Sequence, residues 1–349
     1  ENNIETDPEL KARVVFAGNQ IQVKRDGRLI TVRDPSEIET DDCWVHSSAA
    51  HDSVRLFLSM SLLTGWRTFT CDLKSAYLQS ESGGRPVYAE VPQNLMESLP
   101  EELKDKSKGM KQPVFRMDRA LYGRVRSGRD WANLLESKLS KLGFKTVPSV
   151  RGLYFNENFG SHGAVTLVVY VDDMSICCPD NVARDFFKSM EAEGLVLKED
   201  AATGLKWSET TKFLGVEYQR SEDDNFKKIF IHMKGYVERM IAEFEKRNDL
   251  TPRDTLPKES ALSADSNKDG EPFRTDVGAL LWLTRCCRPD IAKSVGILGT
   301  GITRWTPEHY KFLISLYGYI LNTKDHGIWM KMHKEDEQKD GGWTVKTRL

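Results

Sequence analysis

Three carboxylates at two places in the chain could do chemistry together. Asp172 and Asp173 are adjacent, between the apolar runs Thr166–Val171 and Met174–Cys178. Asp72 closes an alternating segment that begins at Trp66, and Tyr77 lies five residues further on. Magnesium prefers oxygen ligands and takes one or two carboxylates plus substrate phosphates. Two such ions about 3.5–4 Å apart, bridged by carboxylates, serve phosphoryl transfer. Asp72 and Asp172 suffice for the bridging, with Asp173 as an outer contact. The plainer alternative is a solvated Asp-Asp turn, because Asp favours turns for its own reasons. For Asp72 the alternative is a strand-end carboxylate satisfied by backbone amides, with Tyr77 in the core.

The flanks of Asp172-Asp173 predict two strands, with the pair itself as the tight turn. Alternation places Tyr170 and Asp172 on one face, and Val169 and Val171 on the other, toward a core. Asp72 ends the polar face of its strand, and Phe69, Cys71 and Leu73 form the opposite one. Helices are expected at Ala50–Leu63, closed by Gly65, at Arg129–Gly143 around Trp131, and near Val182–Glu193. Further strands are expected at Lys11–Phe16, at Ile21–Lys24 and Leu29–Val32 around an Asp26-Gly27 turn, at Val87–Val91 and from Leu153. Phe213–Tyr218 predicts one strand with a bulge at Gly215. After Glu222 the expectation is an α domain: Tyr236–Arg247, a linker over Asp249–Gly270, then Asp276–Cys286, Pro289–Leu298 and Pro307–Leu321. The last of these starts with Thr306 as cap and Pro307 at the first helical position.

At 349 residues there is room for about two domains. The net charge of −2 excludes a global basic field, so any nucleic-acid surface must be local. One candidate is Lys104–Arg129, with nine Lys or Arg against two Asp and Phe115 and Tyr122 between them. Its alternative is a solubilising loop. Lys11 and Arg13 share a strand face that suits either solvent or phosphate. None of the six cysteines forms a C-x-x-C pair, which argues for reduced, partly buried thiols. No apolar run reaches the roughly 18 residues of a membrane span, so no membrane partner is expected.

These residues carry a family resemblance. Tyr170-Val171-Asp172-Asp173 resembles the catalytic hairpin of reverse transcriptases, and Asp72-x-x-x-Ala76-Tyr77 resembles their first catalytic motif. Lys11-Ala12-Arg13 resembles the fingers strand, Leu121-Tyr122-Gly123 with Trp131 the segment under the templating pair, and Phe213-Leu214-Gly215 the primer grip. The wording of these motifs, with Arg288-Pro289-Asp290-Ile291-Ala292, is similar to copia-type LTR retrotransposon polyproteins, over about Lys11 to Trp329.

The resemblance implies an α+β right-hand polymerase fold: fingers and palm over 1–221, a helical thumb and connection over 222–330, and a polar tail over 331–349. It implies an RNA-directed DNA polymerase with two Mg²⁺ ions, or Mn²⁺, held by Asp72, Asp172, Asp173 and the Leu73 carbonyl. Lys11, Arg13, Tyr77, Tyr122 and Gly123 would bind the nucleotide. Phe213, Leu214, Gly215 and Val216 would hold the primer, and Lys198 would protonate pyrophosphate. The implied partners are an RNA or DNA template with primer, dNTPs, and ribonuclease H and integrase segments of a parent polyprotein. The implied place is cytoplasmic virus-like particles or the nucleus.

The chain departs from the family pattern at Val125-Arg126-Ser127-Gly128, where Lys-Gln-Ala-Pro is usual. Gly128 is expected to loosen the turn into the Trp131 helix. The strand that usually precedes Lys11 and the acidic start of ribonuclease H are not found, so no ribonuclease H activity is expected. Two other functions stand beside the polymerase. One is a decayed or domesticated nucleic-acid-binding remnant. The other is a two-metal nuclease, which would want further carboxylates or His near Asp72.

Overall fold

Val165–Val169 is buried at every position rather than at alternate ones, and a strand of that kind needs cover on both faces. The computed structural model shows how it is supplied. It describes residues 15, 21–25, 28–32, 48–161, 163–198, 211–258, 271–303 and 305–336. The first elements, β1 (Ile21–Arg25) and β2 (Arg28–Val32), form the expected antiparallel hairpin. Next come α1 (His51–Thr64), β3 (Arg67–Asp72), α2 (Ala76–Gln79), β4 (Tyr88–Glu90), α3 (Gln93–Met96), α4 (Glu101–Ser107) and β5 (Val114–Arg116). They are followed by α5 (Ser127–Lys141), β6 (Lys145–Thr146), β7 (Leu153–Asn156), β8 (Val165–Tyr170), β9 (Asp173–Cys178) and α6 (Asp180–Ala192).

Five strands make an antiparallel sheet in the order β3-β9-β8-β7-β6. Leu167, Val169, Met174 and Ile176 pack on one face with Trp131 and Leu135 of α5 and Phe186 of α6. Val168, Cys177 and Leu153 point the other way, into a second core with Val54, Phe57 and Leu58 of α1. Helices therefore cover one face, and α1 covers the other. The chain before α1 crosses the sheet closely, with the Ala49 amide donating to the Val169 carbonyl at 2.8 Å. Gly152 lies at that crossing with φ +67°, where a Cβ would come within 2.3 Å of the Ala49 nitrogen. No other residue type fits there.

The expected all-helical C-terminal third needs correction. β10 (Thr211–Phe213), β11 (Val216–Glu222), β12 (Phe226–His232) and, after α7 (Lys234–Glu245), α8 (Glu271–Cys286), α9 (Ala292–Thr300) and α10 (Pro307–Asn322), β13 (Ile328–His333) form a second antiparallel sheet in the order β10-β11-β12-β13. β11 runs through the 221/222 position, and β13 takes in the start of the supposed tail. Ile229, Ile231 and Val216 of this sheet share a core with Val277, Leu280, Leu313 and Leu316 of the helices. The sequence pattern hid this because β12 carries Lys227 and Lys228 within an otherwise apolar alternation. α10 begins as expected, with the Thr306 side chain accepting from the His309 amide at 3.3 Å. The five described cysteines are buried and free. No described helix is long and apolar enough to cross a membrane.

Candidate active site

The carboxylates are brought together by strand register. Asp72, the last residue of β3, lies opposite Asp173, the first residue of β9. Asp173 lies opposite Tyr170 at the end of β8. The hairpin turn is therefore Val171-Asp172, one residue earlier than the sequence suggested, and Asp173 belongs to a strand. The reason is backbone conformation. Val171 takes φ +57°, and two-residue hairpins need positive φ at their centre to match strand twist. A β-branched residue is strained there. Two bonds from outside hold it: the Trp131 indole Nε1–H donates to the Val171 carbonyl at 2.7 Å, and the Leu73 amide donates to the Asp172 carbonyl at 2.8 Å.

The free edge of β3 is covered by the segment after α6. The Lys74 amide donates to the Val196 carbonyl at 2.9 Å, and the Lys198 amide to the Asp72 carbonyl at 3.0 Å. Leu73 and Leu197 form an antiparallel bridge. Lys198, Asp72, Asp173 and Tyr170 thus stand in one row across four adjacent segments. The Lys198 ammonium bonds Asp72 Oδ2.

This crowding of negative charge is visible in the acidities. Burial, a hydrogen bond with Asp72 and the Asp172 charge push the Asp173 carboxyl up to about 6, against the pull of Lys198. The bond to Asp72 raises the Lys198 ammonium, helped by the Asp172 and Asp173 charges. Cys71 beside Asp72 is pushed up to about 12 by burial, so it stays a neutral thiol. The donors are carboxylate oxygens, which suit a hard divalent cation. Among the described residues no three His, Cys, Asp or Glu side chains converge as a finished metal cage. Among the described residues, Lys198 is the cation that offsets this charge at Asp173.

Beside the row, α2 presents Tyr77, whose ring centroid lies 4.3 Å from that of Tyr122. Burial raises the Tyr77 phenol, followed by the charges of Tyr122, Asp172 and Tyr170. Gly123 follows Tyr122 at φ +95°. The turn carrying them is held by Ser127, which accepts from the Leu121 amide at 3.1 Å and donates to the Leu121 carbonyl at 2.6 Å. The loosening expected from Gly128 is therefore offset. Arg126 also pairs with buried Asp130 at 2.9 Å, and Asp130 accepts from the Gly83 amide at 3.0 Å.

The Lys104–Arg129 stretch is not the open basic surface its composition suggested. Lys104, Lys106 and Lys108 pair with Glu101, Glu102 and Asp105, and Arg116 with Asp118. Arg124 and Arg126 converge on buried Asp130. Phe213–Val216 is not one bulged strand either. Leu214 (φ +50°) and Gly215 (φ +77°) form a two-residue turn between β10 and β11. This turn sits on the second sheet, where a Cβ on Gly215 would be 3.8 Å from the Trp282 ring. Lys11 and Arg13 lie outside the described residues. Ser127 escaped notice in the sequence, as a lone hydroxyl carries no pattern.

A row of acidic, aromatic and lysine side chains on an antiparallel sheet has the residue types that nucleotidyl transfer uses, and the family comparison points the same way. The chain belongs to the family described as reverse transcriptase (RNA-dependent DNA polymerase), whose profile matches residues 12–256. It is similar to the Retrovirus-related Pol polyprotein from transposon TNT 1-94 of Nicotiana tabacum, 24% identical over 285 residues, which cover 78% of this chain and 20% of that protein. It is also similar to the polyprotein from transposon RE1 of Arabidopsis thaliana, 25% identical over 80% of this chain and 18% of that one. A putative transposon Ty5-1 protein of Saccharomyces cerevisiae is 24% identical over 72% of this chain and 76% of its own length. The chain thus spans about a fifth of the plant polyproteins it matches. The copia-type resemblance is borne out.

Proposed function

We propose that the chain is the RNA-directed DNA polymerase core of a copia-type retrotransposon, extending a primer 3′-hydroxyl with dNTPs. The observation that supports it best is the row Lys198–Asp72–Asp173–Tyr170 with the Tyr77–Tyr122 pair beside it. The proposed frame is a right hand, with fingers and palm over 1–221 and thumb and connection over 222–330, working within a longer polyprotein. Asp72, Asp172, Asp173 and the Leu73 carbonyl would hold two divalent ions, which supply a lowered pKa for the primer hydroxyl and offset charge on the leaving pyrophosphate.

The chain's own residues do the rest. Tyr77 packs its ring against the incoming sugar and leaves no room for a 2′-hydroxyl. Tyr122 and Gly123 support the nascent pair. Leu214-Gly215 steadies the primer strand. Lys198, on leaving Asp72, hands a proton to pyrophosphate, and Lys11 and Arg13 grip the triphosphate by charge and fork geometry.

Primer extension on an RNA template, with Mg²⁺ and with EDTA, tests this reading. Extension should need the ion and stop in Asp72→Asn. Duplex binding should weaken steeply with salt. Salt-dependent binding without any extension would favour the nucleic-acid-binding remnant, and cleavage of labelled duplex would favour a nuclease. Tyr77→Ala should admit ribonucleotides, raising their use relative to dNTPs by about one to two decades from the relieved hydroxyl burial alone. Tyr77→Phe should leave the ratio unchanged. An unchanged ratio in Tyr77→Ala would return Tyr77 to the ordinary core aromatics.

A further inference from the structure

The segment that carries Lys198 is attached to the sheet by very little. Among the described residues, two backbone hydrogen bonds and one bridge join 196–198 to 72–74. Burial of Leu195 and Leu197 decides which face of the segment turns inward. A slip by one residue would reverse that and is excluded by the apolar pattern. A slip by two residues would keep both leucines inside and carry Lys198 away from Asp72. Burial does not forbid it.

Gln79 does. It ends α2, two residues after Tyr77. Its Nε2 donates to the Lys74 carbonyl at 2.7 Å and to the Val196 carbonyl at 3.1 Å. Its Oε1 accepts from the Val196 amide at 3.0 Å. One primary amide thus grips both polar groups of a single residue in the segment and one carbonyl of the strand end beside it. A side chain that reads N–H and C=O of the same residue excludes Leu195 and Leu197, whose backbone groups face the other way, and a two-residue slip that brings Gly194 to the place of Val196 meets an N–H already given to the Glu191 carbonyl at 2.8 Å. We propose that Gln79 is a positioning residue: it locks 196–198 in register with 72–74 and so sets the Lys198 ammonium on Asp72. The role of Lys198 in the chemistry rests on the polymerase reading above; the register lock does not.

The geometry has a second consequence. Tyr77 and Gln79 share one four-residue helix, so the wall of the sugar pocket and the segment bearing Lys198 move as a unit. The grip is solvent-accessible, since Val196 is half exposed. Water can satisfy the Val196 groups when Gln79 is replaced, so the fold should survive the substitution.

The test uses the whole chain with Gln79→Met, which keeps length and removes all three bonds. Amide exchange over 195–198 should quicken about tenfold, as expected for loss of hydrogen bonds of ordinary net strength. In primer extension kcat should fall about tenfold, a part of the roughly 10²–10⁴-fold that a positioned proton donor supplies, while KM for dNTP stays near wild type. Gln79→Glu should not rescue, because a carboxylate oxygen then faces the Lys74 and Val196 carbonyls. The deciding measurement is the cycle with Lys198→Ala: Gln79→Met should cost nothing further in that background. Wild-type exchange in Gln79→Met, or a full additional loss in the Lys198→Ala background, overturns the proposal. A wild-type chain that never extends a primer removes the polymerase reading instead, and the exchange result alone then decides the register lock.

Discussion

The molecule contains two hairpins built on the same device and put to different ends. Val171-Asp172 joins β8 to β9, and Leu214-Gly215 joins β10 to β11. Each turn has a non-glycine residue at positive φ in its first position, +57° at Val171 and +50° at Leu214. The second turn relaxes into Gly215, which takes positive φ without cost. The first has no glycine. It holds its strained valine through Trp131 and Leu73, both from outside the hairpin. The first turn therefore depends on the packing of α5 and β3 for its shape, whereas the second is locally determined. Preorganised carboxylates need such outside support, and a turn that only presents backbone and a leucine does not.

The sharpest way to break this comparison is at the tips. Asp172→Asn should lower extension by about three decades, since metal-held charge stabilises such transition states by several kcal/mol, with thermal stability preserved. Asp173→Asn should be milder. Gly215→Ala should instead raise the primer KM and leave kcat within a few fold. Wild-type extension by Asp172→Asn would undo the assignment of the first tip.

Stability should separate the hairpins next. Trp131→Phe keeps a ring but orphans the Val171 carbonyl, at a cost of about 2 kcal/mol, read by denaturant unfolding. Gly215→Ala meets only ordinary contact with Trp282, so its cost should be the backbone term of about 1 kcal/mol. Equal and negligible effects would mean that the first turn is as self-sufficient as the second.

The smallest expected effect is in pH. Asp173 has its folded pKa raised above the ordinary value of 3.8, to about 6. The folded state therefore keeps a proton that the unfolded state has lost in that window, and stability falls as pH rises through it. In EDTA, the melting temperature should drop between pH 4 and pH 6.5, and Asp173→Asn should flatten the drop. The Leu214-Gly215 turn carries no titrating side chain and should add no slope.

Much of this was legible in the sequence, because apolar alternation, Gly65 after α1 and Thr306-Pro307 before α10 are local signals. The two hairpins were each misread in the same way, by assigning the turn from residue type. Asp172-Asp173 looked like the turn because Asp favours turns, but Val171 takes the strained position instead. Leu214 looked like strand and is turn. In the first, tertiary contacts override propensity; in the second, Gly215 makes the turn and Leu214 takes the place before it. The second sheet was missed because β13 pairs with β12 across nearly a hundred residues, a distance no local pattern spans. Ser127 and Gln79 act through single side-chain bonds to backbone, which leave no periodic trace. The basic stretch failed for the opposite reason: its composition was plain, but composition does not say which charges are already paired.

The register that puts Asp72 against Asp173 also sets a schedule for the ribosome. β3 is complete about a hundred residues before β9 appears, and at about 5–20 residues per second that gap is of order ten seconds. Throughout it, β3 lacks β9 on one edge, and its end at Asp72 lacks the 196–198 segment on the other. The five-stranded sheet is thus a late, long-range closure, with the slow folding that high contact order brings. A nascent chain of this kind offers two open strand edges to any neighbour of the same sequence, and chains synthesised close together on one message would be the first to find each other.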